Sequence, residues 1–195
     1  MVVKNANLSA PPRAKREALT GRIADALLEA GVAQIPLRDL ADRLGTSDRM
    51  LLYYFDDKAD LIRSSLQEIS RRLAVTLANA TESRSPPDRL LRTVLPLFAS
   101  PQVDRSMRVW ADLSARSARG EEPFVTIGRR SVEAWLSWLE TRLAVDDEAE
   151  RRLTAAAILT IIEGMRQLET SLPTSTEGVA TLLARAFSGQ RSGTS

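Results

Sequence analysis

Residues 31–62 read GVAQIPLRDLADRLGTSDRMLLYYFDDKADLI, and local features within this run decide the fold. Pro36 fits the first turn of a short helix, because its fixed φ suits that place and the N–H it lacks has no partner there anyway. Leu37, Leu40, Ala41 and Leu44 then recur three and four apart, and Gly45 ends the helix. Thr46 or Ser47 caps another short helix, Asp48 to about Tyr54, with an acid in its first turn where the helix dipole favours one. Two short helices joined at a glycine make a helix-turn-helix unit. A long helix follows, capped by Asp56, whose Ile62, Leu66, Ile69, Leu73 and Leu77 keep one face apolar for more than four turns.

Outward from this run the same spacing recurs almost everywhere, and no stretch sustains a period of two, so the expected architecture is all-helical. Upstream, a helix from Pro12 or Arg13 to Ala30 carries Leu19, Ile23 and Leu27 on one stripe and ends at Gly31. Downstream, Ser85-Pro86-Pro87-Asp88 stops the fourth helix and starts a fifth, with Ser85 as the cap; Pro96 should kink that helix or end it early. Ser100-Pro101 opens a sixth helix to about Ala118, and a seventh runs from about Glu122 to Leu143. Asp146 or Asp147 caps an eighth, to about Thr170, and Ser175 or Thr176 caps a ninth that ends near Phe187. Met1 to Ala10 and the polar tail 189–195 are expected to be disordered.

Composition narrows the function. The chain has 195 residues, no cysteine and no histidine, which removes disulfides, thiol nucleophiles, histidine bases and the usual metal ligand sets. No metal and no cofactor are expected. Adjacent acids such as Asp146-Asp147 and Glu121-Glu122 lie at helix starts, where capping accounts for them, so an enzyme built on paired carboxylates is the weaker reading. No apolar run is long enough to span a membrane, and the N-terminus lacks a secretory core, so a cytoplasmic protein is expected. The 27 basic and 25 acidic residues leave a net charge of +2, and residues 1–63 hold ten of the former and nine of the latter. Any nucleic-acid site must therefore come from a few placed cations, with Glu17, Asp25, Glu29, Asp39 and Asp42 turned away.

The quoted run resembles the N-terminal DNA-binding domain of TetR-family transcriptional regulators. Leu40-Ala41, the turn glycine Gly45, Ser47 four residues before Leu51, and Leu51-Leu52-Tyr53-Tyr54-Phe55 followed by Lys58 and Leu61 stand at that family's spacing. Beyond the first third, the likeness is confined to helix count and to Glu163-Gly164-Met165 in the eighth helix. Two positions depart from the pattern: Pro36 replaces a capping threonine, and Leu52 replaces a tyrosine that usually touches phosphate. The resemblance implies an N-terminal unit over 1–56 that binds double-stranded DNA at a palindromic operator. It further implies a unit over 57–188 that binds a small, largely apolar effector and forms a homodimer. The expected function is a repressor that the effector releases; an activator, a regulator without ligand control and a helical protein-binding adaptor are the alternatives.

The residue types suit those roles. A recognition helix needs an apolar face against its scaffold, here Met50, Leu51 and Phe55, and a polar face for the major groove, here Thr46, Asp48, Arg49 and Tyr53. Arg49 is the candidate base reader, because a guanidinium meets guanine with two hydrogen bonds. Asp48 is either a base reader or a helix-start acid. Ser47, Tyr54, Arg38 and Lys58 are phosphate candidates, Lys58 beside the amides that open the fourth helix. Arg13, Lys15 and Arg16 line the approach to DNA or merely solvate the first helix.

Phe98, Met107, Trp110, Phe124, Trp135 and Trp138 form either a bulky core or the wall of an effector pocket, with Glu163 and Met165 contributing from the eighth helix. Asp112, Glu163 and Arg166 stand as polar selectors. Trp135 and Trp138 point about 60° apart on a helix, so at least one should meet a cavity or an interface. Ala157, Ile158 and Ile161 with Val179, Leu182, Leu183 and Ala186 are the candidate dimer interface, two helices from each subunit making a four-helix bundle.

Overall fold

The computed structural model describes residues 13–31, 36–81, 84–98, 100–174, 176 and 178–189, and holds nine helices and no strand among them. These are α1 (Arg13–Ala30), α2 (Leu37–Arg43), α3 (Asp48–Tyr54), α4 (Lys58–Ala80), α5 (Pro87–Phe98), α6 (Pro101–Ala118), α7 (Phe124–Arg142), α8 (Glu148–Ser171) and α9 (Val179–Gly189). The all-helical expectation holds. Pro12, Ser175, Met1 to Ala10 and 190–195 lie outside the described residues.

Local chemistry sets most helix ends. Leu44 closes α2, Gly45 follows at φ 63°, the Gly45 N–H donates to Asp42 O at 3.1 Å and the Thr46 N–H to Ala41 O at 2.9 Å. This paired closure needs a left-handed residue after the cap, which glycine adopts without a Cβ penalty. Ser47, not Thr46, caps α3, accepting from the Met50 N–H, and Asp147 caps α8 by accepting from Glu150 N–H at 2.7 Å.

Four expected ends move. Asp57 rather than Asp56 caps α4, taking the Asp60 N–H at 2.6 Å, and the Asp56 N–H itself donates to Asp60. Pro36 sits at the cap of α2, one residue before its first turn. Ser85 stands one residue outside the cap position: it is buried in a single parallel bridge with Leu143, its N–H donating to Arg142 O at 2.8 Å, and the Pro86 carbonyl receives the first bond of α5. The Thr176 hydroxyl donates to Glu169 of α8, and α9 starts three residues later. Pro96 lies inside α5, which continues two residues beyond it to Phe98.

Two apolar cores stack along α4. The first gathers Ile23, Leu27, Leu40, Leu51, Phe55 and Leu61 with Val109 and Leu113 of α6 and Phe124 and Ile127 of α7. The second joins Leu73 and Leu77 of α4 to Leu91 and Val94 of α5, Leu139 of α7, and Ile158 and Ile162 of α8. Fully burying such a side chain contributes roughly 1.5–3 kcal/mol, several times an exposed ion pair, so these clusters rather than surface charges hold the helices in place. Gly31, just past α1, lies close against α6: at φ 77°, a Cβ there would lie 2.7 Å from Asp112 Oδ2. Asp112 therefore packs at the end of α1, not in the bundle interior where it was expected to select a ligand.

Candidate nucleic-acid interface and bundle cavity

A seven-residue helix has barely two turns, so α3 can seat only one narrow face. Leu51 and, just past the helix, Phe55 fill that face and are buried in the first core. Met50, expected beside them, is 43% exposed, because one residue before Leu51 is a 100° rotation away from it. Leu52 and Tyr53 are exposed with it, as are Arg49, Ser47, Lys58 and Arg38; Thr46 and Asp48 are half-buried. The outward face of α3 thus carries a guanidinium and a phenol together with two apolar side chains. Tyr54 is half-buried against the first core and meets the Tyr53 ring edge-on at 5.1 Å, so its ring braces Tyr53 more than it reaches outward.

The Ser47 oxygen accepts from Met50 N–H, which leaves its own O–H to donate to a phosphate. Lys58 opens α4, but the Asp57 carboxylate already takes an amide there. A phosphate beside Lys58 would meet its ammonium next to an anion, not the bare row of amides expected from sequence.

Arg16 turns inward. It was expected on the DNA approach or in solvent, yet its Nε donates to Tyr54 O at 3.0 Å, one Nη donates to Asp60 at 2.9 Å and to Ser64 at 3.1 Å, and its guanidinium lies 4.9 Å from the Phe55 ring centre. Asp60 also accepts from Arg63 at 3.0 Å. Burial pushes the Asp60 carboxyl up, but the bonds from Arg63, Arg16 and the Asp56 N–H outweigh it and leave its pKa below the ordinary value. Arg22 donates to Leu44 O at 2.6 Å and ties the turn to α1. Further along α4, Arg72 bridges Glu68 to Asp25 of α1, and Glu68, held chiefly by its bond from Arg71, falls to about 2. Asp25 and Glu17 are thereby occupied by Arg72 and Arg13. Sequence spacing could have suggested Asp60–Arg63 as an i, i+3 pair; nothing local could have matched Arg16 to residues some forty positions away.

Between α4 and α7 lies a cavity of about 240 Å³. Trp135 and Trp138 both line it, their rings edge-to-face at 6.0 Å, together with Arg63, Ser70, Arg130 and Ser131. Two voids of about 20 Å³ adjoin: Met107 and Trp110 touch one, and Phe98, Met107 and Glu163 the other. Phe98, Met107 and Phe124 are core residues, and Phe124 and Met165 line none of these three spaces. Burial pushes the Glu163 carboxyl up, with Arg166 and a hydrogen bond from Trp110 pulling the other way, and Arg166 itself reaches Asp104 at 3.5 Å.

Ile158 leaves the proposed outer face. With Ala155 and Ile162 it forms the inward stripe of α8 and is 0% exposed, so it cannot meet a second chain. Ala157 and Ala186 are exposed, Ile161, Val179 and Leu183 half-buried, and Leu153 and Leu182 are 72% and 66% exposed. Among the described residues no group of acids could hold a metal ion, and no helix is long and apolar enough to cross a membrane.

No protein-family model matches the chain. It is 30% identical over 111 residues to the HTH-type transcriptional regulator BetI of Stenotrophomonas maltophilia, a match over 55% of this chain and 57% of that relative's length. In structure it is similar to a candidate TetR-family transcriptional regulator from Rhodococcus sp., with a TM-score of 0.68, 24% identity, and 89% and 96% of the two chains covered. It is also similar to a TetR transcription regulator from Haloarcula marismortui, at 0.64, 22%, and 89% and 96%. With its helix-turn-helix at α2–α3 set beneath a bundle of longer helices, the chain has the TetR-family fold.

Proposed function

We propose that the chain is a TetR-family transcriptional regulator, a binding protein and not an enzyme, that works in the cytoplasm as a homodimeric repressor on a palindromic operator and is released by a small-molecule effector. The observation that carries the reading is the division of α3: Leu51 and Phe55 are fixed in the core, while Arg49 and Tyr53 stand out on the opposite side. That is what a helix laid in a major groove requires. Residues 1–56 form the DNA-reading unit, although the first core continues beyond it into α4, α6 and α7. Residues 57–188 carry effector binding and dimerisation.

Selection of bound sequences from a random duplex pool tests the DNA reading directly. Arg49→Ala is expected to relax preference at one base pair by about 1–3 kcal/mol, while Lys58→Ala weakens all sequences alike and lowers the salt slope by roughly one. Equal, sequence-independent losses from both would overturn this division of roles.

The apolar side chains standing out from α8 and α9 support a second copy as the partner. Leu153, Ala157 and Leu168 face outward on α8 and Leu182 on α9, apolar side chains that a second copy would cover. Leu182→Asp is expected to give a monomer of unchanged helix content in sedimentation equilibrium at micromolar concentration. Operator affinity should fall at least about tenfold, since one half-site then binds alone. A dimer that survives the substitution would move the interface elsewhere.

A further inference from the structure

The cavity between α4 and α7 has a direction. Leu66 and Ile69 of α4 and Ile127 of α7 belong to the first core, whereas Leu73 and Leu77 of α4 and Leu139 of α7 belong to the second. Both helices therefore run from the first core toward the second. Along that axis Arg63 opens the α4 wall and Ser70 follows, while on the α7 wall Thr126 and Ile127 precede Arg130 and Ser131, and Trp135 and Trp138 close the far end. No aspartate or glutamate lines the space. Arg130 has no ion-pair or hydrogen-bond partner among the described residues, and Arg63 has Asp60 at 3.0 Å. Two arginines ahead of the indoles, of which only Arg63 has an acid beside it, with hydroxyls on both walls, do not suit a purely apolar guest. They match a molecule with a negative head and an apolar body.

We infer that this cavity binds a small amphipathic carboxylate, its head between Arg63 and Arg130 and its apolar body against Trp135 and Trp138. The inference deepens the effector part of the regulator reading and rests on it only for the consequence at DNA. That consequence follows from Arg63. Its guanidinium holds Asp60, Asp60 holds Arg16, and Arg16 holds the carbonyl of Tyr54 at the end of α3. A carboxylate that draws Arg63 into the cavity takes a hydrogen bond from Asp60 and loosens the end of the recognition helix. An effector alters operator affinity only by such unequal binding to two arrangements.

The test uses three probes with one body: 3-phenylpropionate, 3-phenylpropanol and 3-phenylpropylammonium, with inorganic phosphate as an anion lacking a body. Each is titrated into the full chain by calorimetry, with tryptophan fluorescence as the second readout. The acid is expected to bind at least about tenfold more tightly than the alcohol, and the ammonium and phosphate not measurably. Arg130→Gln, at an exposed residue, should remove that preference for the acid and leave the alcohol and the thermal midpoint unchanged. Equal affinity for acid and alcohol, phosphate binding as well as the acid, no binding of the acid at millimolar concentration, or full acid affinity in Arg130→Gln would each overturn the inference. In the presence of a selected operator, the acid should weaken DNA binding by the wild type and not by Arg63→Gln. Selective binding of the acid by a chain that binds no DNA sequence would leave the carboxylate site standing and overturn the regulator reading instead.

Discussion

Phe55→Ala is expected to destabilise the protein by about 3–5 kcal/mol, the range for truncating a buried phenylalanine. The ring is 1% exposed, surrounded by the first core and faced by the Arg16 guanidinium. Its loss opens a cavity at the junction of α1, α3 and α4, and Arg16 loses the ring it lies over. With total stabilities of roughly 5–15 kcal/mol, such a loss takes a large share of the whole. The damage should be local as well as global: amides of α2 and α3 should exchange much faster than those of α8, and DNA binding should weaken even where most of the chain remains folded. Phe55→Leu keeps most of the volume and is expected to cost less than about 1.5 kcal/mol. Urea unfolding of the three proteins checks this. A loss below about 1 kcal/mol in Phe55→Ala would mean that the ring does not seat the recognition helix.

Asp60→Ala is expected to cost about 2–3 kcal/mol. A fully buried ion pair that loses one partner costs about 3–5 kcal/mol, but Arg16 and Arg63 are each more than a third exposed, and water screens what the carboxylate leaves behind. The variant also strands the Asp56 N–H and both guanidinium groups. The pH dependence separates this from a packing loss. Because the folded pKa of Asp60 lies below its ordinary value of 3.8, its contribution is complete above that value and is lost as the pH falls through the lower folded one. The gap between wild type and Asp60→Ala should therefore be full at neutral pH and shrink below about pH 3.8. Asp60→Asn keeps one acceptor oxygen and should lie between the two, its gap to Asp60→Ala independent of pH. Glu68 acts in the same direction, so the wild type should continue to lose stability from about pH 4.5 down to about 2. A gap independent of pH between wild type and Asp60→Asn would refute the ionic role.

Local information in this chain reaches about one helical turn. Gly45 was legible, and the α3 cap was narrowed to Thr46 or Ser47, because a helix end is satisfied by groups within four residues of it. Caps failed where two adjacent residues share the chemistry, as at Asp56 and Asp57, or where a distant segment competed for the backbone, as Leu143 does at Ser85. The outward face of α3 could be foreseen from its period, but not that a helix this short gives Leu51 and Phe55 the only inner places and leaves Met50 outside.

Arg13 and Arg16 look alike in sequence, two cations three residues apart on one helix. One pairs with Glu17 in solvent, and the other joins α1 to the end of α3 and to α4. Likewise, Arg63 and Arg130 carried no signal as a pair, because 67 positions separate them. The sequence by itself determined the helical period, most helix ends, the helix-turn-helix and the absence of histidine and cysteine chemistry, all of which depend on residues within a turn or two. Which aromatics face a cavity, which arginines line it and which face of α8 remains open were decided only when α4 and α7 came to flank one space and α8 joined the second core. Those contacts depend on how rigid helices cross, and a side chain's direction around its helix has no meaning for function until the neighbouring helix is in place.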